Sequence, residues 1–378
     1  MAINPIRHKW KGTMTDRERF NRQMHFQSVD RSFNREFGFW DENFIEWDIF
    51  TENGIKDNAM VDEFFSFDRM WDIGGHTCMY PYIEQQIIEV REKTQIIINP
   101  DGLLAEVPLD GGGSSIPHFI KSSVNSPDDW KKMKEEHFDI KHPGRKINIE
   151  RLRNNDRWSI PPCEERDFPL GIYCGSMIGK IRDILTFEGL AYAIYDEPEM
   201  VEDMVETCCR IVEDTLDQLL PHFTFDFASG WEDICFNGGP IVSVGFFRDV
   251  VMPRYKRINA KLQKYGIDIW YTDCDGDVRH LLPFFLEGGI NCIFPYEVNG
   301  SGHPGEMLDK YEGQLRIMGG VDKMELAKGP EAIKACLESL EKYVIRGGYI
   351  PFCDHRCPPN VNPSDYLYYL DLKEKMFG

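Results

Sequence analysis

IRGGYIPFCDHRCPP, residues 345–359, is the stretch on which the fold reading turns. Gly347 and Gly348 end a helical pattern over Pro330–Arg346 and feed a short apolar strand, Tyr349–Phe352. A glycine pair just past the last periodic residue is a helix stop signal. Cys353, Asp354, His355 and Cys357 follow at once, and Pro358 and Pro359 prevent regular structure from continuing. A strand that ends in a burst of reactive groups is how a barrel or an open α/β sheet presents an active site. The competing reading of the cluster is a well-satisfied buried turn with reduced cysteines.

Upstream, the same unit recurs. Strand patterns at Pro169–Cys174, Phe225–Ser229, Asp268–Thr272, Cys292–Pro295 and Leu315–Met318 alternate with helical ones. The helices start near Met177 and cover Pro198–Pro221, Phe246–Tyr265, Val278–Glu287 and Pro304–Tyr311. Val201, Met204, Val205, Cys208, Ile211, Val212 and Leu216 give the second of these one apolar face. Strand–helix alternation with short links predicts parallel β/α architecture. About six units here, plus one or two in the N-terminal third, predict a (β/α)8 TIM barrel, class α/β, as a single domain over residues 1–378. Thr15-Asp16-Arg17-Glu18 is a capping box that starts an N-terminal helical extension. Arg35–Trp40 alternates as a strand, and Asp41–Asn53 reads as helical. Ile87–Ile98 and Gly102–Pro108 flank the turn Asn99–Gly102, which predicts an inserted β-hairpin at about 87–108. That hairpin is a candidate lid, homodimer arm or partner-docking surface. The Gly111–Ser115 loop lacks the lysine of a phosphate-binding loop.

A formal charge of -20 argues against a nucleic-acid binder and against an anionic membrane surface. No run approaches the roughly 18 apolar residues of a membrane span. Eleven cysteines without framework spacing, behind an N-terminus (MAINPIRHKWKG) with no apolar core, read as reduced thiols in a cytoplasm.

In a barrel the site is built from residues just after each strand. Here those are Trp231, Glu232 and Asp233; Asp273, Cys274, Asp275 and Asp277; Tyr296 and Glu297; Asp322 and Lys323; and Cys353, Asp354 and His355. A single acidic strand end is often only a helix N-cap, a reading open for Asp277 and Asp322. Asp273 and Asp275, two apart on extended chain, face the same side, with Cys274 opposite. Those two carboxylates with the Cys353 thiolate form a candidate zinc set. Glu232, Glu297, Asp275 and His355 are candidate catalytic groups. Trp40, Trp231 and Tyr296 could sandwich a ring, with His118 facing the same mouth. Phe39 reads as core.

The run Asn237–Ser243, the helix end Met252-Pro-Arg-Tyr255, then DCDGD (273–277), FPYEV (294–298), MGGVDK (318–323) and GGYIPFCDHRCPP (347–359) resemble the uroporphyrinogen decarboxylase superfamily. More narrowly, they are similar to its branch of corrinoid-dependent methyltransferases, over roughly residues 165–378. The resemblance implies a barrel with its site at the C-terminal mouth. The arginine motif that true decarboxylases use for porphyrinogen carboxylates is absent at Asn34–Trp40. The family's zinc-binding His-x-Cys-Gly segment aligns on its glycine with Asp273 and Asp275, or on its cysteine with Thr272 at the histidine position. Cys353 looks like the later cysteine ligand. This departure argues against methylating a thiol.

What the resemblance implies instead is the opposite half-reaction: O-demethylation. A methyl group leaves a small donor, an aryl methyl ether, for the cob(I)alamin of a separate corrinoid protein, with cobalamin and zinc as the implied cofactors. The leaving oxygen needs a proton or a Lewis acid. A carboxyl crowded by other carboxylates has a raised pKa and can supply one. The alternative is a decarboxylase or lyase on a small carboxylic acid, anchored by Arg31, Arg35, Arg182 or Arg356. A non-catalytic binding module, such as a chaperone for a corrinoid protein, is the third option.

Overall fold

A computed structural model describes residues 3–109, 118–154 and 159–378, so the Gly111–Ser115 loop lies outside the described residues. The strands, in chain order, are β1 (Trp71–Ile73), β2 (Gln86–Val90), β3 (Thr94–Ile98), β4 (Leu104–Pro108), β5 (His118–Lys121), β6 (Leu170–Tyr173), β7 (Phe227–Trp231), β8 (Cys235–Phe236), β9 (Gly239–Pro240), β10 (Trp270–Asp273), β11 (Cys292–Tyr296), β12 (Arg316–Val321) and β13 (Tyr349–Cys353). Seven form one parallel sheet in the order β1-β6-β7-β10-β11-β12-β13. Helices link them, including Gly179–Asp196, Pro198–Leu219 and Pro330–Arg346. The α/β, barrel-like expectation is met, with every strand neighbour following chain order.

The sheet curls around a core of its own. Phe33, Met70, Phe227, Ile269, Cys292, Met318, Ile350 and Phe352 form one buried cluster drawn from both ends of the sheet. The helix Asp16–Met24 inserts Phe20 and Met24 into this cluster, below the strands. Thr15 caps it by accepting from the Glu18 N–H at 3.1 Å, as the capping box predicts. This plug explains the glycine pair of the deciding stretch. Gly348 donates its N–H to the Gln23 carbonyl at 2.6 Å, and a Cβ there would meet the Phe26 ring at 2.1 Å. Gly347 and Gly348 also sit at φ +85° and +71°, where glycine alone is unstrained.

Arg35–Trp40 occupies the seam between β13 and β1 but does not form the expected ladder strand. Its bridge is a single parallel one, Phe39 to Cys357. Side chains satisfy the segment where a ladder would. Asp68 accepts from the Asn34 N–H (2.9 Å), and Glu36 accepts from the Cys353 N–H (3.2 Å). Asn58 accepts from the Phe39 N–H (2.7 Å) and donates to its carbonyl (2.9 Å). Backbone groups taken out of water need such partners, and the side chains supply them.

The inserted hairpin is larger than the sequence suggests. It is a four-stranded antiparallel sheet, β2-β3-β4-β5. The Asn99–Gly102 turn is present between β3 and β4, with the Asn99 side chain accepting from the Asp101 and Leu103 N–H groups. Arg91–Lys93, inside the stretch read as one strand, is a second turn; Arg91 donates its N–H to Thr94. No helix among the described residues is long and apolar enough to cross a membrane.

Candidate functional site

Alternation along the strands carries the inner face from the apolar cluster up to the mouth. On β7 the inward positions are Phe227, Ser229 and Trp231. On β10 they are Tyr271 and Asp273, with Ile269 just before the strand. Met70 points in, so Asp72 does as well, and the Ser229 hydroxyl on β7 donates to Asp72 on β1 past the intervening β6 at 2.7 Å. Arg35, Met70, Asp72, Phe227, Tyr271, Phe294 and Met318 line a small cavity of about 60 Å³. A second cavity of about 230 Å³ adjoins it at Arg35 and Asp72. A larger cleft of about 670 Å³ lies outside the barrel, against Lys131, Lys134, Asp203 and Arg210. Its charged groups are ordinary surface ion pairs such as Lys134–Asp203 (2.7 Å), so the mouth is the better site.

Asp273 is the electrostatic centre of that mouth. Burial holds its carboxyl well above the usual carboxylate range, and the charges of Asp275 and Asp233 push the same way, with Arg356 opposing them. Asp275 therefore shares the side of Asp273, as the spacing predicts. Cys274 faces the other way and pairs with Cys235. Asp275 meets His355 at 3.3 Å (Oδ2 to Nε2). The His355 ring stacks on Trp40 at 5.1 Å and meets Phe37 edge-on at 5.6 Å. Phe37 in turn packs edge-on against Phe294 at 4.7 Å. Asp233 sits at φ +46°, a strained conformation for a non-glycine residue. It is held there by Arg182, whose Nη1 donates to Oδ2 at 3.0 Å. Trp231 is covered by Lys180 and Arg182, 4.9 and 5.2 Å from its ring centre.

The structure thus brings together Trp40, Trp231, Asp273, Asp275 and His355. It sets other sequence candidates elsewhere. Glu232 points out of the barrel, 1% exposed. It accepts from Ser176 Oγ and the N–H groups of Met177, Ile178 and Gly179 at 2.7–3.0 Å, and from the Tyr255 hydroxyl. It is an N-terminal cap for the helix Gly179–Asp196, not a mouth carboxylate. Glu297 is tied to Lys323 Nζ (2.7 Å) and the Gly276 N–H (2.9 Å), which occupies it structurally. Tyr296 is fully buried and donates to the Ser301 carbonyl, so it stacks on nothing in the mouth. His118 is exposed on β5, 3.9 Å from Glu106. Asp322 follows the N-cap reading, accepting from the Met324 N–H (2.8 Å), whereas Asp277 caps no helix and is instead paired with the Arg279 guanidinium (2.8 Å).

Cys353 does not join Asp273 and Asp275. Phe352 belongs to the inner cluster, so Cys353 faces outward, where it pairs with Cys357 near Glu36. Among the described residues, no group of three or more His, Cys, Asp or Glu side chains is placed to hold a metal ion. The expected zinc set therefore does not fit this arrangement. Asp72, Ser229 and Tyr271 enter the mouth without having been singled out as site residues, and Asp233, a strand-end residue in the sequence, joins them. The three-residue β1 is too short to announce itself by periodicity, and nothing in the sequence marks Asp72 as inward-facing.

No family model matches the chain, and no curated protein matches it. Among solved structures, a methyltransferase from Methanosarcina mazei superposes with a TM-score of 0.56 at 12% identity, over 96% of this chain and 99% of that one. The likeness is one of fold.

Proposed function

We propose that this chain is a methyltransferase that takes a methyl group from an aryl methyl ether and passes it to the cob(I)alamin of a separate corrinoid protein. The observation that carries the reading is Asp273, a buried carboxyl at the end of β10 in an aromatic-lined mouth, whose pKa burial and the neighbouring Asp275 and Asp233 push well above the usual carboxylate range. The fold shared with the Methanosarcina mazei methyltransferase supports it. The corrinoid, on its own protein, supplies a cobalt(I) nucleophile for the methyl carbon. Every other requirement falls to this chain. Trp40, Trp231, Phe37 and Phe294 present ring faces and edges that suit an arene. Asp273 delivers its proton to the ether oxygen as the methyl carbon departs, so that a phenol and not a phenolate leaves. Asp275, paired with His355, raises the proton-donating form of Asp273 through its charge. Exposed Phe187 and Phe236 meet edge-on at 5.3 Å, an apolar pair suited to a protein that presents a flat corrin ring.

The test is anaerobic methyl transfer from a panel of methoxyarenes to cob(I)alamin, free and protein-bound, with and without added zinc. Demethylation of at least one donor is the expected result. No transfer from any donor to either acceptor overturns the reading. Arg35 and Arg356 in the mouth favour a second reading, a decarboxylase anchoring a small carboxylic acid. Carbon dioxide release in the absence of corrinoid would establish that one instead.

A further inference from the structure

We propose that Asn237 is a self-modification site, where the Gly238 nitrogen attacks the Asn237 side-chain amide and converts the residue to aspartyl and isoaspartyl forms. Asn237 and Gly238 form the tip of the hairpin between β8 and β9, a ladder of two cross-strand pairs, Cys235 with Pro240 and Phe236 with Gly239. Both tip residues are exposed. Among the described residues, nothing hydrogen-bonds the Asn237 side chain or the Gly238 N–H. Gly238 has no Cβ to shield its nitrogen, and the space around it is open: a Cβ built there meets nothing within 4 Å.

The chain carries Asn-Gly three times, at 53, 237 and 299, and the structure separates them. Ring closure needs the side-chain carbon to swing onto the following nitrogen. At Asn53 both reacting groups are engaged: its Nδ2 donates to the Ile49 carbonyl (2.8 Å), and the Gly54 N–H donates to the Thr51 carbonyl (3.3 Å). Asn299 lies in the helical turn Val298–Ser301, and Gly300 is buried against other backbone, where a Cβ would meet the Gly276 carbonyl carbon at 2.4 Å. Of the three, Asn237 alone has both groups unengaged at an exposed loop tip, where chemical change concentrates.

The chemistry balances with water alone. Hydroxide takes the Gly238 amide proton, the nitrogen bonds to Asn237 Cγ, and the side-chain nitrogen leaves as ammonia, closing a succinimide. Water then opens the ring. Breaking the new N–Cγ bond gives aspartate; breaking the original peptide bond leaves the chain running through Cβ and Cγ, which is isoaspartate. Overall one water is consumed and one ammonia released. The hairpin is also coupled to the mouth, because its backbone braces the loop that carries Asp275. The Asp277 N–H donates to the Phe236 carbonyl at 2.9 Å, and a Cβ on Gly276 would meet the Cys235 carbonyl oxygen at 2.7 Å. An isoaspartyl link adds a backbone carbon next to Phe236 and displaces the register of so short a ladder, so the Phe236 carbonyl leaves the Asp277 N–H.

The experiment ages the folded full chain at mildly alkaline pH and follows the three Asn-Gly peptides by mass spectrometry that resolves aspartyl from isoaspartyl products. A sample held in urea supplies the rate each site has without structure. In urea the three sites convert at similar rates. In the folded chain Asn237 converts several-fold faster than Asn53 or Asn299 and gives both products. Conversion of Asn53 or Asn299 as fast as Asn237, or an Asn237 that stays intact in the folded chain while it converts in urea, overturns the proposal. Gly238→Ala fits the backbone, since Gly238 has no positive φ and its Cβ position is open, and it slows conversion several-fold by shielding the nitrogen. An unchanged rate in that variant overturns the proposal; if the variant does not fold, the parental time course decides alone. Hydrogen exchange at the Asp277 amide rises in the isoaspartyl fraction, and unchanged exchange overturns the coupling to the mouth. Methyl transfer is not an element of these readouts, so they stand or fall separately from the proposed activity.

Discussion

In the proposed reaction, Asp273 is the residue on which the chemistry depends. Replacing it with asparagine keeps the shape and removes the proton, so methyl transfer from a methoxyarene falls about 100- to 10,000-fold. A loss below tenfold would show that another group donates. The pH dependence has a fixed sign. Activity needs the protonated carboxyl, so the rate falls as pH rises through the raised pKa of Asp273. Asp275→Asn removes one of the charges that raise it, so the falloff moves to lower pH; a pH–rate profile of the two proteins checks this. The paired facing of Asp273 and Asp275 was legible in the sequence, because period-2 geometry needs no tertiary information. The facing of Cys353 was not. A one-residue change of register exchanges the faces of a strand, and only the packed structure shows that Phe352 is the inward residue. Tyr296 escaped for a related reason: the β11–β12 register shifts between Ile293 and Tyr296, so simple alternation fails there.

At the level of elements, the loops that close the mouth are held by buried carboxylates instead of catalytic ones. Asp354, fully buried, accepts from the N–H groups of Val298 (2.9 Å) and Lys323 (3.0 Å) and so joins the loops after β11, β12 and β13. Burial outweighs the nearby Lys323 ammonium and brings its pKa to about 6. A carboxyl whose folded pKa is raised favours the folded state at low pH, and that contribution is lost as pH rises from about 4 through about 6. Roughly 3 kcal/mol of stability disappears across that window. Urea unfolding at a series of pH values should show this fall in the parent and a flatter curve in Asp354→Asn; identical curves would refute the assignment. Helix boundaries were the most legible feature, because caps and apolar stripes are local: Pro330–Arg346 is as read, and Thr15 caps as read. The hairpin was under-read. The Arg91–Lys93 turn carries no glycine or proline to announce it, and β5 lies beyond the glycine-rich loop.

For the whole molecule, closure of the barrel is the distinctive problem. The seam segment forms almost no ladder, so side chains carry the join. Glu36 accepts from the Cys353 N–H on β13, from the Tyr369 hydroxyl (2.8 Å) and from Lys373 Nζ (2.6 Å) on the C-terminal helix Pro363–Phe377. Both members of the ion pair are excluded from water. Lys373→Met leaves a buried carboxylate unpaired and should cost about 3–5 kcal/mol in denaturant unfolding. Glu36→Gln with Lys373→Met removes both charges and should cost less than the single change; a larger loss in the double variant would contradict this account. Strand and helix alternation made the barrel readable, whereas the seam was not, since its partners are Asn58, Asp68 and Lys373 from three distant parts of the chain.

The most direct test of the central claim is a single stoichiometric measurement. The purified chain, cob(I)alamin and a methoxyarene are incubated under anaerobic conditions, and methylcobalamin and free phenol are quantified together. One phenol per methylcobalamin, with both products lost in Asp273→Asn, is the predicted result. Neither product across the donor panel, or both formed undiminished in Asp273→Asn, would contradict it.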